Sequence, residues 1–106
     1  LGNGKPIRSY MYPADMVWWL LNMLVDNKNG VIYNLGSPEG ISLENLAVKI
    51  RNKLGNDIHI DILNMNKDDS VFVPDIDFVK NELAVDIKVN IDEALDKTLD
   101  WATRIL

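Results

Sequence analysis

The feature that most constrains this chain is an apolar run at residues 16–26, which Asn22 alone interrupts before it ends at Asp26. Asp15 precedes the run and is a good N-cap residue, so the pattern predicts a helix. Because apolar side chains lie all round this helix, it needs burial on several sides. A chain of 106 residues builds only one modest core. We therefore expect helix 16–26 to pack against something outside these residues, and the isolated chain to self-associate through it.

The rest of the chain mixes strand-like and helix-like patterns. Alternating apolar, β-branched and aromatic residues predict strands at 7–12, 31–35 and 58–62, with 85–89 extended. Helical spacing of apolar residues predicts helices at 43–54, about 76–83 and 91–106. Residues 64–70 are a polar loop. The sequence thus predicts one mixed α/β domain over residues 1–106.

Capping residues place the ends of these helices. Ser42 is the expected N-cap of the second helix, and Gly55 stands where a left-handed C-cap belongs. Asp75 is the expected N-cap of the third helix. Asn90, with Glu93 three residues later, resembles a capping box at the start of the last helix.

Charge and residue types exclude several classes of function. With 11 basic and 16 acidic residues the net charge is −5, which disfavours nucleic-acid binding. The chain has no cysteine, so disulfides, thiolate catalysis and cysteine-ligated metals are excluded. The only histidine, His59, lies on the polar side of an alternating segment and is expected to be solvated, which leaves no metal site or catalytic triad.

Targeting signals are also lacking. The longest apolar run, 16–21, is too short to span a bilayer. The chain shows no secretion signal and no initiator methionine. We therefore expect a cytoplasmic piece of a longer gene product.

Several short motifs, each weak alone, follow one another along almost the whole chain. They are Gly2-x-Gly4, Arg8-Ser9-Tyr10-x-Tyr12-x-x-Asp15, Tyr33-Asn34-x-Gly36-Ser37, Ser42-x-x-x-Leu46-Ala47, Val73-Pro74-Asp75, and Glu93-Ala94-Leu95 with Trp101. In this order and spacing, the chain resembles the C-terminal part of the NAD-dependent epimerase/dehydratase family, the extended short-chain dehydrogenase/reductases that act on nucleotide sugars. It looks most like the 4,6-dehydratases and related epimerases of surface-polysaccharide sugar synthesis.

The resemblance implies a C-terminal substrate-binding lobe whose N-terminal NAD-binding domain lies outside this chain. Family members carry an upstream Gly-x-x-Gly-x-x-Gly loop that cradles the dinucleotide pyrophosphate, and a Tyr-x-x-x-Lys pair that serves hydride transfer. Neither pattern occurs here. The resemblance implies that NAD is the cofactor of the full-length enzyme and that it binds outside this chain. The chain itself is expected to contribute no catalytic, cofactor-binding or metal-binding residue, and to be inactive alone.

Three residues carry the substrate contacts that the resemblance implies. Arg8 matches a family arginine that reaches the diphosphate of the nucleotide sugar, where its guanidinium fork pairs with two phosphate oxygens. Family members commonly offer a second arginine in the loop corresponding to 64–74, and here that loop holds only Lys67. A lysine supplies a point charge without the fork. Asn34 closes a strand near the expected substrate cleft and is expected to shape its rim.

Two alternatives stay open. The parent enzyme is a 4,6-dehydratase or an epimerase of the same family, and the sequence does not separate these reactions. In the other interpretation, the chain is a non-catalytic module that binds another protein through helix 16–26, because an uncovered apolar surface is adhesive. Tyr10 and Tyr12 could contact a sugar or base, but alternate strand positions more often serve packing. Trp18 and Trp19 are expected in a core or an interface.

Overall fold

The fold is a small mixed sheet flanked by helices, seen in a computed structural model that describes residues 2–26, 28–55, 57–63 and 67–106. The elements in chain order are β1 (Ile7–Ser9), α1 (Pro13–Asp26), β2 (Gly40–Ser42), α2 (Leu43–Leu54), β3 (Val71–Phe72), α3 (Asp77–Leu83) and α4 (Ile91–Ile105). The strand order is β2-β1-β3. This architecture confirms the mixed α/β fold that the sequence predicts.

Strand β1 lies at the centre of the sheet and sets the environment of Arg8. It runs antiparallel to β2, with Arg8 opposite Ile41. It runs parallel to β3, with Arg8 opposite Phe72. The residue singled out by the sequence therefore lies on the central strand, between two neighbours.

Helix α1 begins earlier than the sequence predicts, and the expected N-cap role of Asp15 is wrong. The helix starts at Pro13, where a missing N–H costs nothing because first-turn amides have no partner within the helix. The first hydrogen bond joins the Met16 N–H to the Tyr12 carbonyl at 3.1 Å. Asp15 is buried in the first turn. Its carboxylate accepts from the backbone N–H groups of Lys88 at 3.0 Å and Val89 at 2.9 Å.

The other caps are confirmed in part. The Ser42 hydroxyl accepts from the Asn45 N–H at 3.2 Å, and the Asn90 side chain accepts from the Glu93 N–H at 3.0 Å. Gly55 has a positive φ of 136°, but its ψ of 145° lies outside the left-handed helical region. The left-handed cap is therefore wrong, although the position still uses a backbone conformation that suits glycine.

Asp75 stabilises the start of α3 from one position earlier than a cap. Its side chain accepts from the Asp77 N–H at 2.9 Å, an Asx-type turn. The residue in the N-cap position is Ile76, which makes no capping hydrogen bond with its side chain. The helix ends at Leu83, as expected, and Ala84 follows with a φ of 51°.

Two predicted strands do not form, and a third is shorter. The strand expected at 7–12 is limited to Ile7–Ser9, while 31–35 and 58–62 pair with no strand among the described residues. Alternation reports an extended segment with one side toward the core, but a strand also requires a neighbouring backbone. The segment 85–89 is likewise outside the sheet. In the loop expected at 64–70, residues 64–66 lie outside the described residues.

The core gathers on the inner side of α1. Trp19 is completely buried, and it packs with Ile76, Val79 and Val85. The indole N–H of Trp19 donates to the Asp86 carbonyl at 3.1 Å, which satisfies the polar end of the ring.

The outer side of the same helix is uncovered. We call five of its residues the outer stripe of α1: Val17, Leu20, Leu21, Leu24 and Val25, each 48–82% exposed. The fold thus leaves unburied the apolar face that the sequence predicts to need a partner. Within the described ranges, no helix combines the length and the apolar character needed to cross a membrane.

Candidate functional site

Arg8 projects from β1 with its guanidinium held by the chain itself. One terminal nitrogen, Nη1, donates to the carbonyls of Ile7 at 2.8 Å and Ser70 at 2.9 Å. The other, Nη2, donates to the Ser70 hydroxyl at 2.8 Å. These contacts account for three of the five N–H donors that an arginine carries.

Ser70 is itself fixed by two neighbours. Its carbonyl accepts from the Ile7 N–H at 2.9 Å, beside the β1–β3 pairing. Its N–H donates to the carboxylate of Asp68 at 2.9 Å. Hydrogen bonds from Ser70 lower the pKa of Asp68, and the nearby Arg8 charge acts in the same direction. An ionised Asp68, Ser70 and Arg8 thus form a connected polar row at the edge of β1 and β3.

Asn34 lies on the rim of a cavity of about 300 Å³. Its side-chain amide donates to the Asp75 carbonyl at 2.9 Å, which orients the side chain at the junction with α3. The lining residues of this cavity are Ser9, Met11, Met16, Asn34, Leu35, Gly36, Phe72 and Pro74. The placement of Asn34 at a rim is consistent with its expected role, which stays a prediction.

The wall of this cavity is closely packed around Gly36. A Cβ atom at that position would lie 2.6 Å from Cγ of Pro74, so only glycine fits without displacement. The adjacent Ser37 N–H donates to the Ser9 hydroxyl at 3.0 Å, and that hydroxyl donates to the Ser37 carbonyl at 2.7 Å. This reciprocal pair anchors the loop against β1.

The structure does not gather the three expected contact residues into one cavity. Arg8 is next to Ser9 in the chain and opposite Phe72 in the sheet, and both of those residues line the Asn34 cavity. Arg8 itself does not line the Asn34 cavity or the three cavities that share Tyr10. Lys67 is exposed and does not line them either.

A concave region that the sequence does not predict lies around Tyr10. Cavities of about 480, 320 and 180 Å³ share this residue. The largest of these three lies between the loop before β2, the strand β2 itself and helices α2 and α4, where Lys49 pairs with Asp92 at 2.7 Å. The only signal in the sequence was that Tyr10 could contact a sugar or base. Helices α2 and α4 meet near Tyr10 only in the tertiary structure, so no local sequence pattern predicts these cavities.

Metal chemistry finds no support in the part of the chain that the structure describes. It contains no group of three or more histidine, aspartate or glutamate residues able to hold a metal ion. His59 lies 3.1 Å from Asp61, and both side chains are largely exposed. The expectation that His59 is solvated is confirmed.

Comparisons with known proteins show which enzymes this chain resembles. No family model matches the chain. It is 30% identical over 106 residues to UDP-glucuronic acid decarboxylase 1 of Danio rerio, covering 99% of this chain and 25% of the relative. It is 30% identical over 107 residues to UDP-glucuronic acid decarboxylase 1 of Arabidopsis thaliana, covering 99% of this chain and 24% of the relative.

Solved structures show the same relationship in three dimensions. The enzyme WbmF of Bordetella bronchiseptica, in complex with NAD+ and UDP, superposes with a TM-score of 0.84 at 28% identity, covering 98% of this chain and 31% of that one. The resemblance to the NAD-dependent epimerase/dehydratase family is confirmed. UDP-glucose 4-epimerase of Thermotoga maritima, solved with UDP-glucose, superposes with a TM-score of 0.88 at 23% identity, covering 99% and 34%, and this shows the shared fold.

The chain corresponds to the C-terminal part of the nucleotide-sugar enzymes of this NAD-dependent family. It spans about a quarter of the length of the curated relatives it matches. Both curated relatives named above are UDP-glucuronic acid decarboxylases, so the finer likeness to 4,6-dehydratases is not established.

The first turn of α2 offers no free backbone amide to the pyrophosphate of NAD. Helix α2 follows β2 directly, but its first three N–H groups already have acceptors within the chain. Leu43 donates to the Pro6 carbonyl at 3.1 Å, and Glu44 donates to the Gly4 carbonyl at 2.9 Å. The third amide is the one capped by Ser42. A pyrophosphate needs such amides free, so we assign no NAD contact here.

Proposed function

We propose that this chain is the nucleotide-sugar-binding part of an NAD-dependent enzyme that acts on UDP-sugars, with the cofactor held by an N-terminal domain outside these residues. The observation that carries the proposal is the partly engaged Arg8 guanidinium on the central strand, in a chain that matches UDP-glucuronic acid decarboxylases over nearly its whole length. WbmF, which is 28% identical, was solved with NAD+ and UDP. UDP carries the diphosphate that an arginine fork recognises.

The chemistry of the proposed contact is electrostatic and directional. A guanidinium pairs with two phosphate oxygens through parallel hydrogen bonds, which fixes both the position and the orientation of the diphosphate. The net charge of −5 opposes an anionic ligand at long range, so recognition depends on local charge. Lys67 would add a second positive charge, and Asn34 would shape the rim. Holding the diphosphate in one place would position the sugar for the cofactor.

The reaction class of the full-length enzyme follows from the family rather than from this part. We infer that it oxidises the sugar with NAD, rearranges the resulting ketone and returns the hydride. The names of the relatives favour decarboxylation or epimerisation, and the 4,6-dehydratase assignment stays a prediction. Incubating the full-length protein with UDP-glucuronic acid and NAD+ separates decarboxylation from epimerisation, because only decarboxylation releases carbon dioxide and only epimerisation changes the sugar without changing its mass.

Titration of the full-length protein with UDP tests the role of Arg8. We expect Arg8→Ala to weaken UDP binding about tenfold or more, since a charge-assisted bidentate contact contributes about 1.5–3 kcal/mol. Arg104→Ala is the matched control, because Arg104 is exposed at the end of α4 and pairs with Asp100 at 2.7 Å. Equal affinities of Arg8→Ala and the parent would refute the assigned role.

A second function is favoured by the outer stripe of α1, whose exposure suits a protein-interaction module. Sedimentation compares the two. If the chain is part of a larger enzyme, we expect the isolated 106-residue chain to self-associate through the outer stripe. In the full-length protein the stripe would then be covered by the rest of the enzyme. Leu21→Lys/Leu24→Lys abolishes that association in the isolated chain, whereas Ile105→Lys/Leu106→Lys, on exposed apolar positions of the C-terminus, does not. If full-length protein also associates through the stripe, the interaction module is supported instead.

A further inference from the structure

We propose that Ser70 is a positioning residue that determines which edge of the Arg8 guanidinium faces the diphosphate. This inference rests on the proposed function and deepens it. Ser70 is not among the contact residues that the sequence predicts. No motif in the sequence marks it. Its significance comes from the way it engages Arg8 through two different atoms.

The guanidinium has two edges that present paired N–H groups. The end edge is formed by one N–H of Nη1 and one of Nη2, and the side edge by the N–H of Nε and the second N–H of Nη2. Ser70 occupies the end edge, since its carbonyl accepts from Nη1 at 2.9 Å and its hydroxyl accepts from Nη2 at 2.8 Å. The other Nη1 donor is used by the Ile7 carbonyl at 2.8 Å. Within the described residues, no hydrogen bond uses the side edge.

The side edge has the geometry that a phosphate requires. Its two N–H groups are parallel, so they can donate to two oxygens of one anionic group. A guanidinium held at its other edge also loses rotational freedom before the ligand arrives, and such preorganisation reduces the entropy lost on binding. Ser70 therefore both selects the edge and fixes its direction.

The position of Ser70 is determined by the sheet and by Asp68. The Ser70 carbonyl also accepts from the Ile7 N–H at 2.9 Å, next to the parallel pairing of β1 and β3. The Ser70 N–H donates to Asp68 at 2.9 Å. These backbone contacts do not depend on the side chain, so Ser70→Ala keeps them, while it also removes the side-chain hydrogen bond from Ser70 that lowers the pKa of Asp68. The hydroxyl contact to Nη2 can thus be tested separately from folding.

The experiment measures the affinity of the full-length protein for UDP and for uridine, which lacks the diphosphate. We expect Ser70→Ala to weaken UDP binding about three- to tenfold, as for the loss of one orienting hydrogen bond, with uridine affinity unchanged. Ser70→Thr retains a hydroxyl and restores UDP affinity. In an Arg8→Lys background, where no fork remains to be oriented, Ser70→Ala changes UDP affinity less than about twofold.

The outcomes separate the two proposals. If Arg8→Ala weakens UDP binding but Ser70→Ala does not, the positioning role is refuted while the proposed function stands. If Ser70→Ala weakens uridine and UDP equally, its effect is a general loss of structure and the positioning role is likewise overturned. If Arg8→Ala leaves UDP binding intact, the proposed function fails and the role of Ser70 fails with it.

Discussion

The carboxylate of Asp15, in the first turn of α1, accepts a hydrogen bond from the backbone N–H of Val89 at 2.9 Å, across 74 positions of sequence. A second bond from the Lys88 N–H, at 3.0 Å, reaches the same oxygen. The segment that leads into α4 is thereby tied to the start of α1 rather than to a strand. Lys88 and Val89 also line one of the cavities at Tyr10. A residue with the pattern of a helix cap thus joins two distant parts of the fold.

Asp15→Ala should destabilise the protein by about 2–4 kcal/mol, because it leaves two amides of the 88–89 segment without their charged acceptor. The loss is measured as the change in the free energy of unfolding in urea. Asp57→Ala is the control, since Asp57 is an exposed acidic residue, and it should change stability by less than about 0.5 kcal/mol. Equal effects of the two substitutions would show that the Asp15 contacts contribute little.

The adjacent tryptophans should differ strongly in their contribution to stability. Trp19 is fully buried and Trp18 is 49% exposed. Trp19→Phe should cost about 1–3 kcal/mol, because it removes the hydrogen bond to Asp86 and part of the packed ring. Trp18→Phe, the matched control, should cost less than about 1 kcal/mol, since the Trp18 ring keeps contact with water. The Lys88 ammonium, 5.1 Å from the ring centre, can also lie over a phenylalanine ring. Urea unfolding of both variants decides; a larger loss for Trp18→Phe would contradict the assigned core.

The sequence predicts the helices well, because helix caps and helical spacing depend on residues that are only a few positions apart. Ser42 and Asn90 cap helices in the way their spacing with the third following residue implies. By contrast, the pattern cannot distinguish Trp18 from Trp19, since a helix that is apolar all round carries no record of which side meets the core. The same limit explains Asp15, whose partners lie 73 and 74 positions away.

The sequence predicts a candidate site residue only where that residue belongs to a local motif. Arg8 could be named from its motif, but the edge it presents depends on Ser70, 62 positions away in sequence. Two of the cavities at Tyr10 are lined by both α2 and α4, and no local pattern encodes the approach of these helices. The strand expected at 58–62 fails for a related reason, since alternation specifies no partner strand. Ile58 and Ile62 are 46% and 44% exposed, so the alternation marks no buried face here either.

Gly36→Ala should destabilise the wall of the Asn34 cavity. The added Cβ would lie 2.6 Å from Cγ of Pro74 and 3.3 Å from the Ser9 hydroxyl, and a proline ring has little freedom to move. We expect a loss of about 1–3 kcal/mol, the usual cost of overpacking, measured by thermal or urea unfolding. Gly2→Ala provides the control because its Cβ would meet nothing within 4 Å. Equal stability of the two variants would show that the loop relaxes without cost.

The pairing of Asp92 with Lys49 should make the packing of α4 on α2 sensitive to acid. The Lys49 ammonium, 2.7 Å away, lowers the pKa of Asp92 below its ordinary value of 3.8. A carboxylate with a depressed folded pKa contributes stability that is fully present above the unfolded value and is lost as the pH falls through the folded value. Asp92→Asn should therefore be less stable than the parent near neutral pH. The difference should shrink as the pH falls below about 3.8 and disappear once the pH is below the lowered pKa of folded Asp92. Unfolding curves across pH 2–7 test this, with Asp57→Asn as the exposed control.

Salt should reduce the difference between Asp92→Asn and the parent as well, because the side chains of Lys49 and Asp92 are both partly exposed and 1 M salt screens exposed charges. A stability difference that persists at low pH and at high salt would show that Asp92 acts by something other than its charge.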